Sequence, residues 1–201
     1  RYFGLNHFGW FTDLFDTAGN NYFDQLRDYL KNHDFKPFNA EQRSKSWLDT
    51  YVRVNKYMQY FDEYIPTTYL QYYFFPDEIV QESNPQYTRV DEARDSREKE
   101  VFEVCGQAVG RDTMDGITML TNGVFGKLMV EVAESIAYDL HNEFIVLVKN
   151  NGIIPNFEKD AIVEVAGTIG KNGAEGYYFG NIDMFYKGLM ENQYAYESLT
   201  V

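Results

Sequence analysis

The sequence predicts a single globular domain that mixes helices with short strands, and three observations predict it. A chain of 201 residues is long enough to bury a real core. Phe125, Leu128, Met129, Val132, Ala133, Ile136, Ala137 and Leu140 recur at steps of three or four, which is one face of a helix. Phe144–Val148 and Ile162–Val165 are short apolar runs, the pattern of buried strands.

The elements follow in order. Tyr2 to Asp16 reads as an extended, aromatic-rich segment, and Thr17-Ala18-Gly19-Asn20 supplies turn chemistry. Tyr22 to His33 is a short amphipathic helix, with Pro37 marking a break. From Ser46 to Tyr64, the spacing of Trp47, Tyr51, Val54, Met58 and Phe61 gives a helix with one buried face, ended by Pro66. Thr68 to Pro76 is a second dense aromatic cluster. Asn84 to Arg89 is a loop that leads into a charged helix over Asp91–Val109. Met114 to Gly123 holds several turn formers and reads as a loop. The helical stripe from Phe125 to Leu140 is expected in the core. Phe144–Val148 is expected as a buried strand closed by Asn150-Asn151-Gly152, and a last helix runs from about Ile182 to Leu199, cut short where the chain stops.

Composition narrows the function. A formal net charge of -13 argues against a nucleic-acid partner, which needs a basic face. It also means that an anionic ligand would need a locally positive pocket. No apolar run is long enough to span a membrane. The single cysteine, Cys105, rules out an intrachain disulfide and sits in an apolar helical context, where an inert buried thiol is expected.

Candidate chemistry starts at Gly4-Leu5-Asn6-His7-Phe8-Gly9-Trp10-Phe11-Thr12, which sets an imidazole beside an aromatic wall. Neutral imidazole is the commonest metal ligand, although a lone histidine is more often a hydrogen-bonded structural residue. Gly167-Thr168-Ile169-Gly170-Lys171-Asn172-Gly173 lacks the spacing of a dinucleotide loop and reads as a turn. There is no Walker loop, no G-x-S-x-G elbow and no paired-cysteine zinc motif.

Three segments occur together in a fixed order: the His7 segment, Tyr69-Leu70-Gln71-Tyr72-Tyr73-Phe74-Phe75-Pro76-Asp77, and Ser83-Asn84-Pro85-Gln86-Tyr87-Thr88-Arg89. With Arg97-Glu98-Lys99, Asn150-Asn151-Gly152 and Val163-Glu164-Val165, the chain closely resembles the C-terminal part of family 4 glycoside hydrolases, nearest to the 6-phospho-α-glucosidase branch. It departs from the family pattern at Ala166, where proline is expected, and over Asp112–Gly123.

The resemblance implies an α+β domain like the C-terminal domain of lactate and malate dehydrogenases, covering residues 1–201. The NAD-binding Rossmann domain would lie upstream and be absent here. It also implies cytoplasmic hydrolysis of 6-phospho-α-glucosides such as maltose 6'-phosphate, by a homo-oligomer in the full-length protein, with this fragment inactive alone. Hydride leaves C3 of the sugar for NAD⁺, a base takes the C2 proton, the glycosidic oxygen leaves, water adds and the hydride returns. This is an exception to two-carboxylate hydrolysis. By the same resemblance, His7 is a ligand of a divalent metal, Mn²⁺ in the family, whose cysteine partner lies upstream. Tyr69 is the C2-proton base and needs acidification from a free-tyrosine pKa of about 10. Arg89 grips the 6-phosphate through its planar fork. Tyr72, Tyr73, Phe74 and Phe75 read as packing, and no residue is assigned to NAD. The alternatives are another family 4 specificity (6-phospho-β-glucosidase, α-galactosidase or α-glucuronidase), a 2-hydroxy acid dehydrogenase-like oxidoreductase, and a non-catalytic domain that mediates oligomer contacts.

Overall fold

Strand alternation in the first dozen residues decides the architecture. In the computed structural model, which describes residues 1–33, 41, 45–113 and 123–200, Tyr2–Leu5 (β1) and Phe8–Phe11 (β2) form an antiparallel hairpin with Leu5 opposite Phe8. Successive side chains point to opposite faces, so Phe3, Leu5, Phe8 and Trp10 share the core face, all buried. Tyr2, Gly4, Gly9 and Phe11 share the other. Ile65–Pro66 (β3) pairs with β2, while Asn142–Lys149 (β4), Ile162–Gly170 (β5) and Gly173–Gly176 (β6) complete an antiparallel sheet. The order is β3-β2-β1-β5-β4, with β6 beside β5.

Helices cover the core face. Phe23–Asn32 (α1) and Lys45–Tyr60 (α2) precede β3; a single 3-10 turn at Thr68–Leu70 and the short Gln71–Phe74 (α3) follow it. Met184–Thr200 (α7) closes the chain and buries Tyr186 and Met190. From α2, Val54, Tyr57 and Met58 enter the core, where the Trp10 indole N–H donates to the Tyr57 hydroxyl at 2.9 Å. Burial pushes the Tyr57 phenol up to about 12. This helix ends at Tyr60 rather than Tyr64, because the residue before Pro66 is pushed to extended backbone and joins the sheet.

The chain divides into two units, Arg1–Pro76 with Glu134–Val201, and Asp77–Ala133. The first holds every buried residue among those described. The second contains Pro76–Glu82 (α4, from its second residue), Arg89–Ala108 (α5) and most of Gly123–Ala137 (α6). Among the described residues, no helix is long and apolar enough to cross a membrane.

Three sequence expectations need correction. The apolar stripe of α6 is not core: Phe125, Leu128, Met129 and Ile136 are exposed, and Ser135 is the one buried residue of that helix among those described. Periodicity shows that a face is apolar, not that this chain covers it. On β4 only Val146 is buried, and Ile145 and Leu147 are half-exposed, since the strand lies at the edge of the sheet with one face open. Cys105 is exposed, on a helix with no buried residue. The expected Pro37 break and the Met114–Gly123 loop lie outside the described residues, apart from Gly123, which starts α6. Gly170 and Gly173 pair across Lys171-Asn172, a strand-to-strand turn as expected.

Asn150 fastens the loop after β4. Its amide donates to the carbonyls of Ile154, Phe157 and Glu158, its oxygen accepts from the Ile154 N–H at 2.7 Å, and the side chain is fully buried. Asn150→Ala strands those backbone groups and is expected to cost about 2–4 kcal/mol. Urea unfolding of the full-length protein measures the loss, and an unchanged midpoint would contradict it.

Candidate active site

The two-residue turn between β1 and β2 is Asn6-His7. His7 holds φ +60, the left-handed region that the second central residue of such a turn takes and that histidine tolerates better than most side chains. The surroundings are specific. The His7 N–H donates to Glu164 Oε2 at 3.1 Å, and its carbonyl accepts from the Thr67 hydroxyl at 2.7 Å. Its ring stacks on Tyr69, with centroids 4.5 Å apart and planes 12° from parallel.

Each partner is delivered by the fold. The Thr67 N–H donates to the Gly9 carbonyl at 2.9 Å, which extends the β3 edge and starts the 3-10 turn. Leu70, buried to 1%, anchors that turn and leaves Tyr69 half-exposed over the imidazole. Glu164 lies on β5 opposite Gly4, between the buried Val163 and Val165, so it points to the open face of the sheet. Its carboxylate also accepts from the Tyr2 hydroxyl at 2.7 Å. Burial and that hydrogen bond to a carboxylate raise the Tyr2 pKa, so the phenol stays protonated and donates. Gly9 makes room for it: a Cβ there would lie 2.3 Å from the Tyr2 hydroxyl oxygen.

His7 Nδ1 is 4.0 Å from Glu164 Oε1, and the His7 side chain is 57% exposed. No hydrogen bond engages Nε2 among the described residues. The imidazole therefore fits a metal as one fixed, accessible donor. A complete cage is not present: among the described residues no three His, Cys, Asp or Glu side chains group to hold an ion. The described residues also offer NAD no phosphate-binding loop, the glycines of 167–173 being spent on strands and their turn.

Arg89 belongs to the second unit, as the first residue of α5. Thr88 and Asp91 form a capping box there, and Arg89 pairs with Glu92 at 2.6 Å. Arg89, Arg94 and Arg97 border a shallow depression floored by Val90 and Ala93. Arg94 is paired with Asp91 and Asp95. Of the aromatic run, Phe74 and Phe75 pack against the core as expected. Tyr72 and Tyr73 are exposed instead, with Tyr73 edge-on to Phe8 at 4.7 Å.

The Family 4 glycosyl hydrolase C-terminal domain matches residues 2–201. The chain belongs to this family. It is 41% identical to phospho-alpha-glucosidase PagL of Clostridium acetobutylicum over 205 residues, covering the whole chain and 46% of that protein. It is 37% identical to maltose-6'-phosphate glucosidase of Bacillus subtilis, with 100% of the chain and 45% of that protein covered. Among solved structures, a 6-phospho-alpha-glucosidase from gut microorganisms in complex with NAD and Mn²⁺ superposes with a TM-score of 0.86 at 42% identity, over 98% of this chain and 44% of that one. The chain thus spans about half the length of the curated relatives it matches. The family 4 domain is the α+β arrangement described above, an antiparallel sheet with helices on its core face.

Sequence reasoning missed Glu164, Thr67 and Tyr2 around His7. One signal was available for Glu164: an acidic residue alternating with two valines in a strand. Its partner, 157 residues away in sequence, was not legible.

Proposed function

We propose that this chain is the substrate- and metal-facing half of a cytoplasmic, homo-oligomeric enzyme. The enzyme hydrolyses 6-phospho-α-glucosides, such as maltose 6'-phosphate, with NAD and a divalent metal such as Mn²⁺. The observation that carries this reading is the His7–Tyr69 stack, a metal-type ligand face to face with a phenol, in a chain 41% identical to a phospho-alpha-glucosidase. NAD binding belongs in this reading to an upstream domain, in the part of the relatives outside the matched region. The absent groups supply reversible hydride transfer at C3 and Lewis acidity toward the C2 and C3 oxygens.

The residues of this chain do the rest. His7 would hold the metal, offering its exposed imidazole as one donor. The Tyr69 oxygen, on the ring stacked against that imidazole, would take the C2 proton as phenolate and become the neutral phenol. Arg89 binds the 6-phosphate by exchanging its Glu92 partner for the dianion, a stronger charge-assisted acceptor. Exposed Val90, Phe102, Phe125 and Met129 on α5 and α6 support assembly into oligomers. A phosphorylated disaccharide is charged and does not cross lipid, so the enzyme acts in the compartment where that substrate is phosphorylated, the cytoplasm in this reading.

The test is an assay of the full-length enzyme, with NAD⁺ and Mn²⁺, on α- and β-linked p-nitrophenyl glucoside 6-phosphates and their unphosphorylated counterparts. Release from the α-linked phosphorylated substrate alone is expected. Cleavage of only unphosphorylated substrates would remove Arg89 from phosphate binding. Net accumulation of NADH would mark a dehydrogenase instead.

A further inference from the structure

We infer that Glu164 is a positioning residue for His7, held in place by the Tyr2 hydroxyl across Gly9. The inference rests on the reading of His7 as a metal ligand, and it assigns the determinant of that ligand's geometry. Three observations carry it. Glu164 is the one acidic side chain among the described residues that reaches His7, through its backbone N–H at 3.1 Å and beside ring Nδ1 at 4.0 Å. The carboxylate is itself fixed, because the Tyr2 hydroxyl donates to the same oxygen at 2.7 Å and the Glu164 side chain is only 13% exposed. The Tyr2 phenol reaches it only because residue 9 has no Cβ.

The physical role follows from the backbone. The second central position of the two-residue turn takes φ +60, and the bond from the His7 N–H to Glu164 and the bond from Thr67 to its carbonyl brace that turn on both sides. Glu164 Oε1 lies 4.0 Å from Nδ1, outside hydrogen-bond reach, so Glu164 acts through the backbone N–H, which fixes where the ring and its Nε2 sit. Outer groups that orient a ligating histidine in this way are worth about 10–100-fold in metal affinity when removed. Glu164 does not touch the reacting atoms in this scheme; it acts through His7.

The experiment measures Mn²⁺ affinity of the full-length enzyme by electron paramagnetic resonance of the free ion, beside Mn²⁺-dependent activity. Glu164→Ala is expected to raise the Mn²⁺ dissociation constant about 10–100-fold, with turnover recovering toward wild type as Mn²⁺ is raised. Glu164→Gln keeps an acceptor for the His7 N–H and is expected to recover part of the affinity. Tyr2→Phe frees the carboxylate without deleting it. It is expected to weaken Mn²⁺ binding less than Glu164→Ala, and it decides the matter if Glu164→Ala fails to fold. Unchanged Mn²⁺ affinity in the folded Glu164 variants, or in Tyr2→Phe when those do not fold, overturns the inference, even if their melting temperature falls. His7→Ala separates the two ideas. If it leaves Mn²⁺ binding intact, the ligand reading fails; if it abolishes binding while Glu164→Ala does not change it, only the positioning role fails.

Discussion

His7→Ala in the full-length enzyme is expected to abolish activation by Mn²⁺, with metal affinity falling by more than about 100-fold, beyond what loss of an orienting group costs. The fold should survive. His7 sits on an exposed two-residue turn, and alanine at φ +60 carries a strain penalty of only about 1–2 kcal/mol. Circular dichroism therefore separates a missing ligand from a missing structure. Mn²⁺ titration of activity makes the measurement, and an unchanged activation curve would take His7 out of the site.

Tyr69→Phe is the second large effect, and it isolates one atom. Phenylalanine keeps the ring that stacks on His7 at 4.5 Å and keeps Leu70 buried beneath the turn, so metal affinity should be unchanged. Only the hydroxyl is lost. A general base is worth about 10²–10⁴ in rate, and turnover should fall by that factor. Exchange of the C2 proton of the substrate with deuterated solvent, followed by proton NMR, should fall with it. If exchange continues at the wild-type rate, another group takes that proton. A fall in Mn²⁺ affinity instead would show that the hydroxyl serves the metal site rather than proton transfer.

Much of the scaffold was legible because it depends on local patterns. The three- and four-residue spacing in α2 gave its buried face, and the β-branched run of β5 gave a strand with Val163 and Val165 in the core. What failed was the step from pattern to burial. The α6 stripe and Cys105 have core-type sequence and exposed positions, because amphipathicity specifies a face and not its covering. The site was legible only in part for a related reason. His7 and Tyr69 were named through the family resemblance, and the structure adds the stack between them. Glu164 and Tyr2 carry no role in the sequence reading: the carboxylate between two valines marks only a polar position on a strand, and Tyr2 is one aromatic among many. Their meaning arises when β5 pairs with β1. Arg89 sits in the other unit; its i,i+3 pairing with Glu92 is a spacing that a helix beginning at Arg89 makes legible, whereas the division into units is not.

The pairing of β1 with β5 also has a kinetic side. The β1–β2 turn can close almost at once, since only two residues separate its strands. β5 arrives from about 160 positions away and closes the longest loop in the sheet. Until it does, the His7 amide lacks its Glu164 acceptor, and only the turn itself and the Thr67 bond hold the left-handed backbone. The competent form of the turn is therefore among the last features to appear as the chain folds. With His7 as the proposed metal ligand, tight capture of the ion is expected to lag behind the zipping of the central ladder.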